Sequence, residues 1–331
     1  MDEPINIQTT VGSIEFNSCI WNAAGPRCTQ PEELDILRAC DYVGAVVTKT
    51  CTLNMREGNA FPRVHASSTD QSTISINSVG LANMGIDEYL LWIANAKRDD
   101  MTKPIFLSIG GLSMDENKEL LRKIREAEYI PDFIELNLSC PNLVDHAIVG
   151  YSHDKMKQYL NILTMNVGLM RENDRDVQCG VKLPPYFDDC DFQRISRLIN
   201  TFSGELDYIT TINGIPNCLV VDTATEAPMI KPKCGFGGMG GTITKPVGLA
   251  NVHKLREYLH ESIDIVGCGG VKTGEDVFHY LLCGASAVEI ATQFLIEGID
   301  CFERILNELK VIMKDKGYHN ITEFRGKLHK E

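Results

Sequence analysis

The chain has 331 residues, of which 44% are hydrophobic and 23% are charged, with 45 Asp and Glu against 32 Lys and Arg. This composition is ordinary for a globular protein, and it excludes a disordered chain, a coiled coil and a collagen-like repeat. The formal net charge of −13 counts against a nucleic-acid-binding protein, because neutralising phosphates requires clustered Lys and Arg.

The cysteines and the apolar segments indicate the kind of compartment. None of the 12 cysteines forms a CxxC pair, so zinc-ribbon and iron–sulfur spacings are absent and we expect no metal site. The chain starts with acidic rather than basic residues, unlike a signal peptide, and it has no run of about 18 apolar residues. We therefore expect a cytoplasmic protein that contacts no membrane.

The predicted elements alternate along the chain. Two short alternating runs at 5–10 and 13–16 predict an N-terminal hairpin around Gly12. Apolar runs predict strands at 20–24, 44–49, 104–109, 133–138, 178–183, 208–212, 264–268 and 287–291. Amphipathic stretches predict helices at 31–39, 87–97, 114–127, 153–172, 189–202, 246–259, 274–283 and 299–316.

Eight strands, each followed by a helix, predict an α/β protein: a single (β/α)₈ TIM barrel domain over residues 1–331. Excursions at 50–86 and 214–245 predict loop insertions at the C-terminal face of the strands. We interpret the segment 74–83 as a loop folded over the barrel mouth or, alternatively, as a surface loop. A doubly wound sheet would need fewer strands or a second domain, and no Pro/Gly/Ser-rich linker separates one.

Polar side chains follow several of the predicted strands. Asn22, Lys49, Asn137, Lys182 and Asn213 lie near or just beyond strand ends. In a parallel barrel the C-terminal ends of the strands form the active site. Lysines within apolar strands are costly unless they meet an anion or a partner. The pattern therefore predicts a ligand site at this face.

The strongest local signal is the segment Asn137-Leu-Ser-Cys-Pro-Asn142, directly after the fourth predicted strand. Asn side chains offer both a donor and an acceptor, which suits the amide edge of a cyclic imide. A Cys thiol, with an ordinary pKa near ~8.5, can act as a general base where the thiolate is favoured. We interpret Cys140 as a candidate base, with a buried inert thiol as the alternative.

Glycine is concentrated near the last two predicted strands. Residues 235–241 read Gly-Phe-Gly-Gly-Met-Gly-Gly and are predicted as a loop, and Gly267-Cys-Gly-Gly270 ends the seventh strand. Loops after the seventh and eighth strands form the usual phosphate site of such barrels. We predict phosphate binding here, with simple turns as the alternative. No GxGxxG follows an N-terminal strand, so a Rossmann domain is not expected.

Several motifs together resemble a known family. They are Arg56-Glu-Gly-Asn59, Ser75-Ile-Asn-Ser78, Asn137-Leu-Ser-Cys-Pro-Asn142, Val181-Lys-Leu-Pro-Pro-Tyr-Phe187, Ile230-Lys-Pro-Lys233, Gly235-Phe-Gly-Gly238 and Lys316-Gly-Tyr318. In this order they resemble the class 1A dihydroorotate dehydrogenases, the soluble, fumarate-using, FMN-dependent branch. The resemblance runs from Asn22 to Lys327. It implies a homodimer that oxidises (S)-dihydroorotate to orotate in pyrimidine biosynthesis and reduces fumarate to succinate.

The resemblance also implies residue roles. Cys140 would take the proton from C5 of dihydroorotate while C6 delivers a hydride to flavin N5. The implied substrate-binding residues are Lys49, Asn77, Gly80, Leu81, Asn137, Asn142 and Asn213. Lys182 would bond the polar edge of the flavin. The implied FMN-binding residues are Ala23, Ala24, Gly25, Lys49, Thr50, Asn77, Asn137, Lys182, Ile212, Gly240, Gly241, Cys268, Gly269, Gly270, Ala291 and Thr292.

Three places depart from the family pattern. Leu143-Val-Asp-His-Ala147 stands where the family lid over the base reads Val-Pro-Gly-Lys-Pro. Gly214 and Ala291 replace a family serine and a family glycine. The base and the four asparagines are retained, so we expect the chemistry to be retained, with the oxidant and the substrate preference left open.

Other functions remain open at this point. The chain could act on another dihydropyrimidine, or work with an iron–sulfur and NAD partner subunit. It could also be a non-catalytic homologue that binds flavin. A tRNA-modifying flavin barrel is disfavoured by the charge of −13.

Overall fold

The computed structural model describes residues 5–69, 71–99, 102–139 and 148–329. The strands are β1 (Thr9–Val11), β2 (Ile14–Phe16), β3 (Ile20–Asn22), β4 (Val46–Val47), β5 (Val64–Ser68), β6 (Thr73–Asn77), β7 (Ile105–Ile109), β8 (Phe133–Asn137), β9 (Gln178–Leu183), β10 (Tyr208–Thr211), β11 (Ile215–Cys218), β12 (Val221–Asp222), β13 (Ala227–Pro228), β14 (Gly237–Gly241), β15 (Asp264–Cys268) and β16 (Ala287–Ile290). The helices are α1 (Pro31–Ala39), α2 (Ile86–Arg98), α3 (Met114–Glu126), α4 (His153–Arg171), α5 (Asp189–Asn200), α6 (Lys245–Tyr258), α7 (Gly274–Leu282), α8 (Thr292–Glu297) and α9 (Asp300–Asp315). Among these helices, none has the length and apolar character needed to cross a membrane.

The predicted barrel is confirmed as a parallel sheet with the strand order β3-β16-β15-β10-β9-β8-β7-β4. All six positions of β9 are buried, as expected when helices cover one face and the barrel interior the other. The eight predicted barrel strands and the eight predicted helices agree with the observed ones to within two residues at either end, whereas the first hairpin strand, predicted at 5–10, is observed only at Thr9–Val11. The apolar and amphipathic patterns therefore located these elements correctly.

The barrel closes between β3 and β4 with the help of one side chain. The backbone N–H of Gly44 donates to Ile20 O at 2.9 Å. Asn22 then supplies both polar groups of its amide to Val47: Nδ2 donates to Val47 O at 2.7 Å, and Oδ1 accepts from Val47 N at 3.0 Å. Because β4 has only two residues, this buried amide replaces backbone pairing where the sheet would otherwise stay open.

The predicted N-terminal hairpin covers the N-terminal end of the barrel. Gly12 N donates to the carboxylate of Asp264, at the start of β15, at 2.9 Å. Phe16 packs against Trp21 with ring centroids 4.8 Å apart. Further inside, Phe106 and Phe133 stack with centroids 4.0 Å apart. This end is filled with apolar side chains, which leaves the C-terminal end for ligands.

An antiparallel sheet of order β11-β14-β6-β5 was not predicted. The predictions of a loop at 235–241 and at the start of 74–83 are wrong, because β14 and β6 pair with Gly238 opposite Asn77. A glycine-rich strand has no alternating side chains to reveal it, and its partner lies far away in the sequence. Helix α8 was also missed. The sheet carries Asn77 and the glycines of β14 to the barrel mouth.

Candidate active site

A cavity of about 1120 Å³ opens at the C-terminal ends of the barrel strands. Its walls include these predicted site residues: Ala23, Ala24, Gly25, Lys49, Thr50, Asn77, Leu81, Asn137, Lys182, Ile212, Asn213, Gly240, Gly241, Cys268, Gly269, Gly270, Ala291 and Thr292. Gly80 does not line it; a Cβ there would lie 2.5 Å from Asn59 Oδ1, so Gly80 packs against a neighbouring loop. Cys140, Asn142 and the segment 143–147 lie outside the described residues.

One wall of the cavity, which we name the glycine cradle, consists of Gly240, Gly241, Gly269, Gly270 and Thr292. A Cβ on Gly240 would lie 2.7 Å from Ser75 Oγ and 2.8 Å from Thr292 Oγ1. These two hydroxyls are 2.8 Å from each other. Because the glycines lack side chains, a ligand can approach their backbone beside these two hydroxyls, as a bound phosphate requires. Ser75 was missed in the sequence, although it lies two residues before Asn77.

Amide side chains converge on Ser139, the last described residue before Cys140. Asn213 Nδ2 donates to Ser139 Oγ at 2.5 Å. Ser139 N and Oγ both donate to Asn137 Oδ1, at 3.1 and 3.0 Å. Asn137 Nδ2 donates to Thr50 Oγ1 at 3.2 Å. These bonds fix the orientations of two amides at the cavity wall, so that they present preset donors and acceptors to a ring. Ser139 is a further residue that the sequence predictions did not include.

Lys49 lies on the same wall, at the end of the second strand run. Its Nζ is 3.4 Å from Ala24 O, and its side chain lines the cavity. Its backbone N–H donates to Cys28 O at 2.8 Å, which ties it to the loop after β3. A cation in this position suits a substrate that carries a carboxylate.

Deeper in the barrel, Lys182 forms a buried ion pair with Glu289. The Nζ of Lys182 also lies 3.9 Å from Cys268 Sγ. Burial lowers the pKa of Lys182, but the neighbouring Cys268, Glu289 and Glu135 outweigh it and hold the pKa above its ordinary value. Burial raises the pKa of Glu289, while Lys182 lowers it. Glu289 was not predicted, since its partners lie on other strands.

A second buried carboxylate, Glu135, occupies the barrel interior. Its Oε1 accepts from Ser108 Oγ at 3.1 Å and its Oε2 from Thr210 Oγ1 at 2.8 Å. Ser108 Oγ in turn is 2.9 Å from Thr50 Oγ1. Hydroxyl contacts therefore run from Glu135 to Thr50, which also bonds Asn137. The alternating strand pattern of 133–137 could have indicated an inward carboxylate, but not its partners.

Asp276 holds the loop behind the glycine cradle. Its carboxylate accepts from Lys245 Nζ at 2.6 Å and from the backbone N–H groups of Lys272 and Thr273 at 2.8 Å each. Lys245 in turn abuts the cradle, because a Cβ on Gly270 would lie 2.6 Å from Lys245 N. Burial raises the pKa of Asp276, but these hydrogen bonds outweigh it and hold the pKa below its ordinary value.

The fold and the site together define an α/β-barrel enzyme whose cavity, at one end of the barrel, is lined by glycines on one wall and by amides on another. The family model for dihydroorotate dehydrogenase matches residues 6–313. The chain therefore belongs to the dihydroorotate dehydrogenase family. Membership of this family implies an oxidoreductase that uses a flavin.

Named relatives agree with this placement, and a solved structure shares the fold. The chain is 43% identical over 315 residues to dihydroorotate dehydrogenase (fumarate) of Saccharomyces cerevisiae, covering 95% of each chain. It is 41% identical over 324 residues to dihydroorotate dehydrogenase A (fumarate) of Lactococcus lactis, covering 97% of this chain and 99% of the relative. A crystal structure of DHODH from Eimeria tenella with ferulenol has the same fold, with a TM-score of 0.80, 18% identity, and coverage of 99% of this chain and 90% of the other.

Replacing Asp276 by Asn tests the support of the cradle. We expect Asp276→Asn to lower the free energy of unfolding near pH 7 by about 1–3 kcal/mol, because a charged acceptor of three hydrogen bonds is lost. The folded-state pKa is depressed, so this stabilisation is present above the unfolded-state pKa and is lost as the pH falls through the folded-state pKa. Denaturant unfolding at several pH values measures it.

The matched control is Asp154→Asn, whose carboxylate is 95% exposed. We expect that variant to change the unfolding free energy by less than about 0.5 kcal/mol. An Asp276→Asn effect that stays constant from neutral to acidic pH would contradict the assigned role of the carboxylate.

Proposed function

We propose that the chain is an FMN-dependent dihydroorotate dehydrogenase that oxidises (S)-dihydroorotate to orotate and uses fumarate as the electron acceptor. One observation carries this proposal: a single cavity joins the glycine cradle to oriented amides that meet at Ser139, the residue before Cys140. The relatives named above, which are fumarate-dependent dihydroorotate dehydrogenases, support it.

The residues present suit FMN. The glycine cradle suits one phosphate because its glycines carry no side chains to block an anion, and a Cβ on Gly240 would crowd the paired hydroxyls of Ser75 and Thr292. Lys182 offers a buried ammonium for the polar edge of a flavin ring. When bound, FMN supplies the acceptor for the hydride that leaves C6 of dihydroorotate. A barrel phosphate site of this kind accommodates a mononucleotide.

The side chains then have distinct tasks in the oxidation. Asn77, Asn137, Asn142 and Asn213 hold the pyrimidine ring by its amide groups, and Lys49 attracts its carboxylate. Cys140, as the thiolate, removes the proton from C5. The C6–H bond breaks with both electrons leaving as hydride, and the C5=C6 double bond of orotate forms.

Fumarate completes the cycle in the same cavity. The hydride that left C6 would pass to one alkene carbon and the proton taken up by Cys140 would pass to the other, which yields succinate and returns Cys140 to the thiolate. Fumarate is a small dicarboxylate, so the cation at Lys49 that suits the dihydroorotate carboxylate also suits it. One cavity with one set of charges thus supports two half-reactions that occur in turn.

Anaerobic mixing with dihydroorotate tests the reaction and the base together. We expect the flavin absorbance of the wild-type chain to bleach and then to recover when fumarate is added. Cys140→Ala should keep its flavin and reduce it at least about 100-fold more slowly, the lower end of what a general base contributes. The wild-type reduction rate should rise with pH as the thiolate forms. Stopped-flow absorbance measures each rate.

The matched control is Cys190→Ala, which removes an exposed thiol on α5 and should bleach at the wild-type rate. Unchanged bleaching in Cys140→Ala would contradict the assignment of the base. Bleaching of the wild type without recovery on fumarate would move the oxidant to a partner subunit. If dihydroorotate does not reduce the bound flavin, the proposed substrate is wrong, and the chain acts on a different substrate or has a non-catalytic role.

Narrowing the cradle tests the cofactor. Gly240→Ala adds a methyl group between Ser75 and Thr292, so we expect at least about a tenfold higher FMN dissociation constant, or about 1.4 kcal/mol. Gly168→Ala is the matched control, since a Cβ there meets no atom within 4 Å. Fluorescence titration with FMN measures both, and mass spectrometry of released flavin identifies it. Equal affinities in the two variants would place the phosphate elsewhere.

We also propose a cytoplasmic homodimer. The insertion after β10 has three exposed apolar side chains, Leu219, Val221 and Phe236. Their exposure supports a surface there that the second subunit of the dimer covers. The 11 cysteines of the described ranges are free thiols, as in a reducing compartment.

Sedimentation velocity tests the dimer. We expect the wild type to sediment as a dimer and Val221→Glu to shift it toward the monomer, because a buried unpaired charge opposes association. Val311→Glu, at a similarly exposed valine on α9, should stay dimeric. A monomeric wild type would contradict the proposal.

A further inference from the structure

Glu289, on β16, is a buried carboxylate for which the proposed reaction has no task. Its side chain is fully buried, yet it belongs to the wall of the cavity. Its Oε2 accepts a hydrogen bond from Lys182 Nζ. Its Oε1 has no hydrogen-bond partner among the described residues. A carboxylate in this position is only half satisfied, which is costly for the charged form in a buried site.

The second interior carboxylate, Glu135, differs from Glu289 in its hydrogen bonds. Both oxygens of Glu135 accept hydrogen bonds from hydroxyl groups, those of Ser108 and Thr210. No oxygen of the Glu135 carboxylate is therefore left without a hydroxyl donor. Of the two carboxylates, Glu289 is the one with an oxygen, Oε1, that has no hydrogen-bond partner by distance, and the only further group that bonds this carboxylate among the described residues is the weak thiol donor of Cys268.

The groups around Glu289 come from five parts of the barrel. They are Lys182 on β9, Cys268 on β15, Glu135 on β8, Tyr208 on β10 and Cys28 after β3. Lys182 is the one cation in this set and the others are neutral or negative. Burial and Glu135 raise the pKa of Glu289, and Lys182 together with the Cys268 thiol lowers it. Any negative charge added beside Lys182 shifts this balance toward the protonated form.

We propose that Glu289 is a positioning residue that acts through Lys182. It partly neutralises this ammonium while the flavin is oxidised, and it takes up a proton when reduction adds a negative charge to the cofactor. The inference rests on the proposed function, since it requires FMN in the cavity. It adds to that function a proton that neither Cys140 nor the substrate supplies.

Hydride transfer moves two electrons and one proton from C6 of dihydroorotate to the cofactor, which gains one negative charge. A second proton comes from water and is bound by the carboxylate of Glu289, with no change in the electrons. The added charge lies beside the Lys182–Glu289 pair, so the proton affinity of Glu289 rises on the order of tenfold or more. Flavin reduction then consumes one proton more than the hydride carries.

The midpoint potential of the bound flavin, measured against pH in the holoenzyme, tests this proposal. Photoreduction with a reference dye is used, so that the result does not depend on dihydroorotate turnover. Between about pH 5.5 and pH 9, the midpoint potential of the wild type should have a range of pH, the two-proton window, in which its slope corresponds to two protons per two electrons. On either side of this range the slope should correspond to one proton per two electrons. In Glu289→Gln the slope should correspond to one proton per two electrons at every pH. At the alkaline end its midpoint potential should be higher than that of the wild type, because no carboxylate offsets the charge of Lys182.

A reduced-minus-oxidised infrared difference spectrum gives a second readout. The wild type should gain the carbonyl band of a protonated carboxyl group, and Glu289→Gln should lack it. Glu135→Gln is the matched control, as the other buried carboxylate, and it should keep both the band and a two-proton window, displaced to lower pH because Glu135 raises the pKa of Glu289.

Several results would overturn the proposal. A wild-type slope of one proton at every pH, or the absence of the infrared band, would do so even if Glu289→Gln failed to fold. A two-proton window that persists in Glu289→Gln would place the second proton elsewhere. Each of these leaves the proposed function intact. A purified chain that binds no FMN would instead overturn the proposed cofactor, and this inference with it.

Discussion

The side chain of Asn22 completes the barrel, and the site depends on that closure. β4 has two residues, and Asn22 bonds both the N–H and the C=O of Val47, so a buried amide replaces the missing backbone partners. A closed parallel barrel brings the carboxyl ends of all its strands to one rim. Lys49, Asn137 and Lys182, which are far apart in the sequence, meet around one cavity for this reason.

The two ends of the barrel have opposite character. The N-terminal end is sealed by the hairpin and by stacked rings such as Phe106 and Phe133. The C-terminal end holds amides, hydroxyls and the Lys182–Glu289 pair. Burial of these charges is tolerated because they face each other, and removing one partner would leave the other uncompensated. The same low-dielectric surroundings make the pair sensitive to a charge added in the cavity.

The antiparallel sheet brings together predicted cofactor-binding and predicted substrate-binding residues that do not lie on the barrel strands. β6 carries Ser75 and Asn77, and β14 carries Gly240. Their pairing places a predicted substrate amide and the two β14 glycines of the glycine cradle on one sheet. The cofactor phosphate and the pyrimidine ring would then be held in a common frame, which favours a constant distance between the atoms that exchange hydride.

The sequence by itself determined the barrel class and most of its helices, because buried parallel strands read as apolar runs and covering helices as amphipathic stretches. It also placed most of the cavity wall, since polar residues beyond strand ends can only meet at one rim. The sheet formed by β6 and β14, the convergence of amides on Ser139, and the partner of Glu289 were decided by the tertiary structure alone. Each of these depends on contacts between segments distant in the chain, and such contacts leave no periodicity within either segment.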